Sequence, residues 1–202
     1  MEAFSDIVIG FSLAQIGGNL VAARSFEIVL FLQSSAFLAF VLTFFIVASM
    51  WWNHNRLFAR YFVPTPVSIV LNFVMLGFLV LFVFSIQVFT KSPGPEGITF
   101  YLSMFGCTFL LLGVLYLSGA VARRTRLCAE DFRKGFMRGL RHASLACGML
   151  VALAIMHHIG LHVRTVWYLL LPPALFTAIV SRLAPVLWAP LRKAPKASPF
   201  SL

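Results

Sequence analysis

The chain has 202 residues and a mass of 22.5 kDa, with 60% hydrophobic residues, 11% charged residues and a mean hydropathy of +0.93. A soluble domain of this size cannot bury so much apolar surface, so the composition excludes that class and indicates a polytopic membrane protein. The net charge of +10 alone would be compatible with nucleic-acid binding, but the placement of the basic residues argues against it.

Six apolar segments follow one another, and most have the roughly 20 residues that a helix needs to cross a bilayer. They lack the alternation of membrane strands, so the sequence predicts an all-α protein with six transmembrane helices in a single repeat. No basic segment precedes the first and no cleavage site follows it, which favours a retained helix over a removable signal peptide. The predicted spans are residues 4–21, 26–52, 67–89, 98–122, 143–159 and 166–187. They predict a transmembrane domain over residues 1–187 and a basic, Pro-rich cytoplasmic tail over residues 188–202.

The basic residues predict the orientation of these spans. Six spans place both termini on one side, and thirteen of the 16 Lys and Arg residues then lie on that side or at its membrane edge. Cytoplasmic segments carry such an excess, so both termini are predicted to be cytoplasmic, and the basic composition needs no nucleic acid to explain it. The residues on the opposite side are Arg24, Lys91 and Arg164.

Polar residues form a stripe along the first span. The stripe consists of Ser5, Ser12, Gln15 and Asn19. Gln15 lies roughly 16 Å beyond Phe4, near the middle of the membrane, where an amide avoids lipid. The stripe is therefore either a contact with other helices, which nearby glycines would allow to approach, or the lining of a pathway on a symmetry axis. Both interpretations stay open at this point.

Polar residues at the predicted inner ends of the first three spans would lie at similar depth. Asp6 begins the first span, His54 follows the second, and Asn72 lies about one and a half turns into the third. A buried carboxylate needs partners, and an imidazole and an amide can supply them. Alternatively, Asp6 lies in the first helical turn because the helix dipole favours an acid there, with Ser5 as the N-cap.

The same residues carry a resemblance to a known family. The segments FSD at the start of the first span, WWNHNRLF at the end of the second and VLNFVMLGFLVLF in the third resemble the transmembrane protein 175 family of potassium channels. The likeness covers about the first 90 residues. The matching positions are Phe4, Ser5, Asp6, Trp51, His54, Leu57, Phe58 and Asn72.

The resemblance implies a function and an assembly. Bacterial members are six-helix, inner-membrane proteins that form homotetramers and pass potassium or other monovalent cations without a cofactor. Their first helix lines the pore, and bulky apolar side chains form a constriction at which the ion sheds water. The pore positions implied here are Phe11, Ala14, Gln15 and Gly18. The positions implied for a hydrogen-bond cluster that ties the pore helix to its neighbours are Phe4, Ser5, Asp6, His54 and Asn72. Phe11, Gln15 and Gly18 depart from the aliphatic residues usual in the family at these positions, and Ala14 replaces a frequent Thr.

Other features of the sequence point neither to an enzyme nor to a metal site. It contains no catalytic triad, paired acids within a span or phosphate-binding loop. His158 and His162 have helical i, i+4 spacing, but a place at the membrane interface explains them better than zinc binding or pH sensing. Cys107, Cys128 and Cys147 are scattered and odd in number, which argues against a disulfide framework.

The basic segment of residues 123–142 has two interpretations. Phe132, Phe136 and Leu140 recur at intervals of four, which fits an amphipathic helix on the inner leaflet in contact with anionic lipid. A cytoplasmic loop that extends the fourth span fits the excess of positive charge equally well.

Two alternatives to a channel also remain compatible with the sequence. One is a non-conducting membrane protein of the same fold that acts as an accessory subunit or scaffold. The other is a small transporter.

Overall fold

The computed structural model describes residues 2–21, 35–91 and 94–159, which form five helices. The helices are α1 (Glu2–Val21), α2 (Ser35–Arg60), α3 (Pro66–Lys91), α4 (Pro95–Ala122) and α5 (Ala129–Ile159). No strand occurs within the described ranges, so the predicted all-helical fold class is confirmed there. The sixth predicted span, the tail and residues 26–34 of the second predicted span lie outside the described residues.

Three of the described helices are long and apolar enough, by length and composition, to cross a membrane. The qualifying segments are Pro66–Val88 in α3, Pro95–Ala122 in α4 and Ala129–Ile155 in α5. Each exceeds the roughly 20 residues that the hydrocarbon core of a bilayer requires. These helices identify the chain as a multi-pass membrane protein.

Local sequence and packing set the ends of the helices. α3 begins at Pro66, and Pro95 lies at the first turn of α4. Proline is suited to that position because the N–H that it lacks would have no partner within the helix. α2 continues past its predicted end at Trp52 to Arg60. The extension is stabilised by packing, since Leu57 on this last part is fully buried.

The largest difference from prediction concerns residues 129–142, which form the first half of α5, whereas the predicted fifth span is only its second half. The segment is helical rather than a loop, and its apolar stripe packs within the protein rather than on the leaflet. Phe132 is buried and stacks on Phe136 with ring centroids 5.9 Å apart. Glu130 and Asp131 lie in the first turn, where the helix dipole favours acids.

Neighbouring helices in the chain pack against one another, and α1 also packs against α3. The contact between α4 and α5 is close because glycines face it. A Cβ atom on Gly113 would lie 2.8 Å from the backbone nitrogen of Ala143 and 2.9 Å from the carbonyl oxygen of Gly139. Backbones approach this closely in membranes where small residues occupy the helix interface.

Two turns at one end of the bundle lie together: residues 61–65 between α2 and α3, and residues 123–128 between α4 and α5. We refer to them as the paired turns. The guanidinium group of Arg123 joins them by donating to the carbonyl oxygens of Arg60 (2.9 Å) and Phe62 (2.8 Å). These carbonyls lie at and just beyond the end of α2, where helical partners are lacking, so Arg123 satisfies them.

Tyr61 of the paired turns is fully buried between α4 and α5. A Cβ atom on Gly119 would clash with the Tyr61 carbonyl group, and one on Gly135 would clash with the Tyr61 ring. The hydroxyl donates to the carbonyl oxygen of Asp131 at 3.0 Å. Burial raises the pKa of Tyr61, so the hydroxyl keeps its proton and remains a donor at neutral pH.

We expect Gly119→Ala to lower the stability of the protein by about 1–3 kcal/mol, because the added methyl group meets backbone atoms that cannot rotate away. Thermal unfolding of the purified protein in detergent measures the loss. Gly77→Ala is the matched control, since a Cβ atom there has no neighbour within 4 Å. Equal melting temperatures for the two variants would contradict the proposed close contact.

Candidate functional site

One face of α1 is buried against α2 and α3. Ser5, Ile9 and Ser12 are fully buried, and their spacing of four and three residues places them on one side of the helix. The Ser12 hydroxyl donates to the carbonyl oxygen of Val8 at 2.9 Å, so its own helix satisfies it. Two members of the predicted polar stripe therefore lie inside the chain, at contacts between helices.

The opposite face of α1 is exposed and mostly apolar. The exposed fraction is 69% for Ile7 and 68% for Phe11, and Phe4 and Ala14 are exposed on the same side. A Cβ atom on Gly10, which shares this face, would have no neighbour within 4 Å. These five residues, Phe4, Ile7, Gly10, Phe11 and Ala14, form the surface that we call the α1 face.

The four predicted pore positions lie differently with respect to the α1 face. Phe11 and Ala14 belong to it, whereas Gln15 is half-buried at its edge. Gly18 is in α1, but its surroundings, like those of Asn19, lie outside the described side chains. The sequence did not predict that Ile7 lies on the α1 face, because nothing distinguishes one apolar residue from the others in a membrane helix.

A buried hydrogen-bond chain joins α1, α2 and α3. The Oδ1 atom of Asn72 lies 2.9 Å from Nε2 of His54, and its Nδ2 atom donates to the Ser5 hydroxyl at 3.3 Å. All three side chains are fully buried. Because the amide oxygen only accepts, Nε2 of His54 carries the proton. Nδ1 of His54 is buried and has no hydrogen-bond partner among the described residues.

A second contact joins α1 to α2 nearer the surface. The indole Nε1 of Trp51 donates to Oδ1 of Asp6 at 3.0 Å. Asp6 thus bonds Trp51, and the structure records no hydrogen bond between Asp6 and His54 or Asn72 within the described part of the chain. Phe4 contacts Phe73 of α3 edge-on, with ring centroids 5.6 Å apart. The predicted cluster residues therefore divide into a buried chain and a more exposed pair.

The sequence interpretation did not predict the hydrogen bond between Trp51 and Asp6. Trp51 matches the family pattern, but a tryptophan at the end of a membrane helix is first interpreted as an interfacial anchor. The indole N–H is a donor only, so an acid at the same depth on a neighbouring helix is a suitable partner.

Metal binding has no support in the described ranges, which contain no group of three or more His, Cys, Asp or Glu side chains that could hold an ion. His157 and His158 are exposed at the end of α5, and His162 lies outside the described residues.

Residues 1–82 match the family model described as endosomal/lysosomal potassium channel TMEM175. The match covers 82 of the 202 residues, so the first part of the chain is similar to the TMEM175 family. The matched region contains α1, α2 and most of α3, including every residue of the buried hydrogen-bond chain and of the α1 face. No curated protein and no solved structure matches the chain.

We expect Asn72→Ala to lower the stability by about 1–3 kcal/mol, because it leaves the buried Nε2–H group of His54 without an acceptor. Thermal unfolding in detergent measures the effect. Asn53→Ala is the control, since the Asn53 amide donates only to Ser49 of its own helix. A loss no greater than that of the control would mean that the buried chain does not stabilise the contact between α1 and α3.

For the Asp6–Trp51 pair we expect a double-mutant cycle with Asp6→Ala and Trp51→Phe to show a coupling free energy of about 0.5–1.5 kcal/mol. Asp6→Asn keeps an oxygen acceptor for the indole and should therefore cost less than Asp6→Ala. Chemical or thermal unfolding of the four proteins gives the coupling. Additive losses would indicate that Asp6 acts only through the dipole of α1.

Proposed function

We propose that the protein is a potassium channel in which four copies of the chain surround a central pore. Each copy crosses the bacterial inner membrane six times, with both termini in the cytoplasm, and α1 of every copy turns the α1 face toward the symmetry axis. The support is the match of residues 1–82 to a potassium channel family, together with the division of α1 into a fixed face and an exposed face.

The division of α1 is the single observation that carries the proposal. The buried face is fixed by Ser5, whose hydroxyl accepts from Asn72, and the α1 face is exposed, with an edge contact of Phe4 to Phe73 at one end. Lipid could cover the apolar residues of that face, but it would penalise the half-buried amide of Gln15 at its edge. Other copies of α1 around an axis, with water between them, would cover the apolar residues and hydrate the amide.

The side chains of the α1 face suit a hydrophobic constriction. Ile7 and Phe11 are one helical turn apart, so four copies would form two apolar rings separated by about 6 Å along the axis. A potassium ion that passes such rings must lose part of its hydration shell, and a narrow apolar ring can also close the path by excluding water. Ala14 leaves more room beyond Phe11, and the Gln15 amide offers the ion an oxygen there.

The buried hydrogen-bond chain would hold α1 in the rotation that this arrangement requires. Asn72 bonds both Ser5 and His54, so α1 cannot turn about its axis without breaking a buried bond. In this proposal His54 and Asn72 position the pore helix and do not contact the ion.

We expect Phe11→Ala to raise potassium flux by about tenfold, the change that corresponds to a barrier lower by about 1.4 kcal/mol. Liposomes containing the purified protein and a potassium gradient measure the flux without valinomycin. Phe45→Ala is the matched control, because Phe45 is an aromatic residue of similar exposure (67%) on α2.

The other outcomes separate the alternatives. Absence of flux in both the wild type and Phe11→Ala would favour a non-conducting subunit or scaffold, whereas saturable flux coupled to a second ion would indicate a transporter. Equal changes in potassium flux for Phe11→Ala and Phe45→Ala would indicate that α1 does not line the pore. A monomer in native mass spectrometry would exclude the shared axis.

A further inference from the structure

The paired turns bring together basic residues from two distant segments of the sequence. Arg60 forms an ion pair with Asp131 at 3.6 Å, and Arg123 donates to the carbonyl of Arg60, so the end of α2 lies beside the start of α5. Residues 53–65 and 123–142 together contain nine basic and two acidic residues, a net charge of +7. The basic residues are Arg56, Arg60, Arg123, Arg124, Arg126, Arg133, Lys134, Arg138 and Arg141.

The two acids of these segments already have partners. Asp131 pairs with Arg60, and Glu130 pairs with Lys134 at 2.6 Å, four residues further along α5. The guanidinium group of Arg123 is bound by carbonyl oxygens. The segments therefore offer no further carboxylate to their other arginines.

Arg56 and Arg138 converge on one point of this basic region. The Tyr116 hydroxyl donates to the backbone carbonyl of Asn53 on α2, and the centroid of the Tyr116 ring lies 5.8 Å from that of His142 on α5, so Tyr116 links α2, α4 and α5. Arg56 follows Asn53 by three residues and Arg138 precedes His142 by four, so each arginine lies about one helical turn from these contacts. Two guanidinium groups are thus held near one phenol, although like charges repel.

The partial burial of Arg138 makes this arrangement informative. Arg138 is half-buried and lies nine residues into α5, roughly 14 Å along a helix that is apolar enough to cross the membrane. A partly desolvated guanidinium group is stabilised by an anion, and its planar donors fit a phosphate group with two hydrogen bonds.

We propose that Arg56 and Arg138 bind the phosphate of an anionic phospholipid between the end of α2 and the first half of α5. Trp52, which is 54% exposed, lies under the Arg56 guanidinium group at 4.9 Å from its ring centroid. Tryptophan favours the region between headgroups and acyl chains, so this ring offers a surface for the glycerol and upper acyl part of the lipid. A soluble phosphate would make no use of it.

This site differs from one of the two interpretations of the sequence, in which an amphipathic segment lies on the leaflet. Phe132 of that segment is buried inside the protein and cannot enter lipid. The lipid is instead bound at the side of the bundle by guanidinium groups on two helices. Basic pockets between membrane helices on the cytoplasmic side bind anionic headgroups in this manner.

Lipid binding by the full chain in nanodiscs tests the proposal. The probes are phosphatidylglycerol and phosphatidylcholine with identical acyl chains, and the readouts are the melting temperature and the lipid retained in native mass spectrometry. We expect phosphatidylglycerol to raise the melting temperature of the wild type and to be retained. The pair Arg56→Gln and Arg138→Gln should abolish that rise and weaken apparent lipid affinity by roughly tenfold or more.

The matched control is the pair Arg126→Gln and Arg133→Gln, which removes the same charge from exposed positions of the same basic region. It should keep most of the stabilisation. The pair Arg56→Lys and Arg138→Lys should restore only part of it, because lysine keeps the charge but loses the two-bond geometry. Melting in phosphatidylcholine alone reports any loss of folding that is independent of anionic lipid.

Three results would overturn the proposal. Equal loss in the site pair and the control pair would indicate diffuse attraction to a charged surface. If the variant with Arg56→Gln and Arg138→Gln keeps the full rise in melting temperature with phosphatidylglycerol, the lipid binds elsewhere. Equal stabilisation by inorganic phosphate in detergent would show that the site binds a soluble anion. None of these readouts requires conduction, so the proposal stands or fails independently of the channel function.

Discussion

The orientation of α1 depends on one buried amide. The amide oxygen of Asn72 accepts a hydrogen bond from His54 and its NH2 group donates one to Ser5, so the two groups of the amide connect three helices in surroundings where an unsatisfied polar group is costly. Successive helical residues are about 100° apart, so a rotation of α1 by one residue would remove Ser5 from Asn72 and turn the α1 face toward α2 or α3. Neutral hydrogen bonds achieve this without a buried charge, which would be more expensive in a membrane.

The second half of the described chain is held together by a different interaction. The contact between α4 and α5 is formed by glycines rather than by polar side chains. The two backbones are so close that a methyl group added at Gly113 would collide with α5. Such contacts gain dispersion energy over many atoms and suit a membrane, in which lipid offers no hydrophobic drive for helices to associate. Tyr61 connects the two halves because its ring and its carbonyl fill the space that Gly135 and Gly119 leave open.

Bilayer dimensions made most of the helices predictable, since α3 and α4 follow directly from their apolar runs and flanking prolines. The start of α5 was not predictable in this way. Arg and Lys favour helices as well as cytoplasmic loops, and the contact that selects the helix, Gly135 against Tyr61, joins residues far apart in the sequence. In the candidate site, the polarity of a residue did not reliably predict which face of α1 it occupies. Ser12 is polar but is satisfied by Val8 of its own helix, whereas Ile7 is prominent on the α1 face and carries no polar signal at all.

The proposed lipid site and the buried amide act on the same helix, α2. Its last turns carry His54, which bonds Asn72, and Arg56, which faces the proposed phosphate. Arg138 belongs to α5, so a phosphate shared by the two arginines would tie the helix that orients α1 to a helix outside the family match. Removing the phosphate would leave two like charges on either side of the contacts that Tyr116 makes with α2 and α5, and would favour separation of these helices. The anionic lipid content of the membrane would thereby act on α2, and through Asn72 on the rotation of α1.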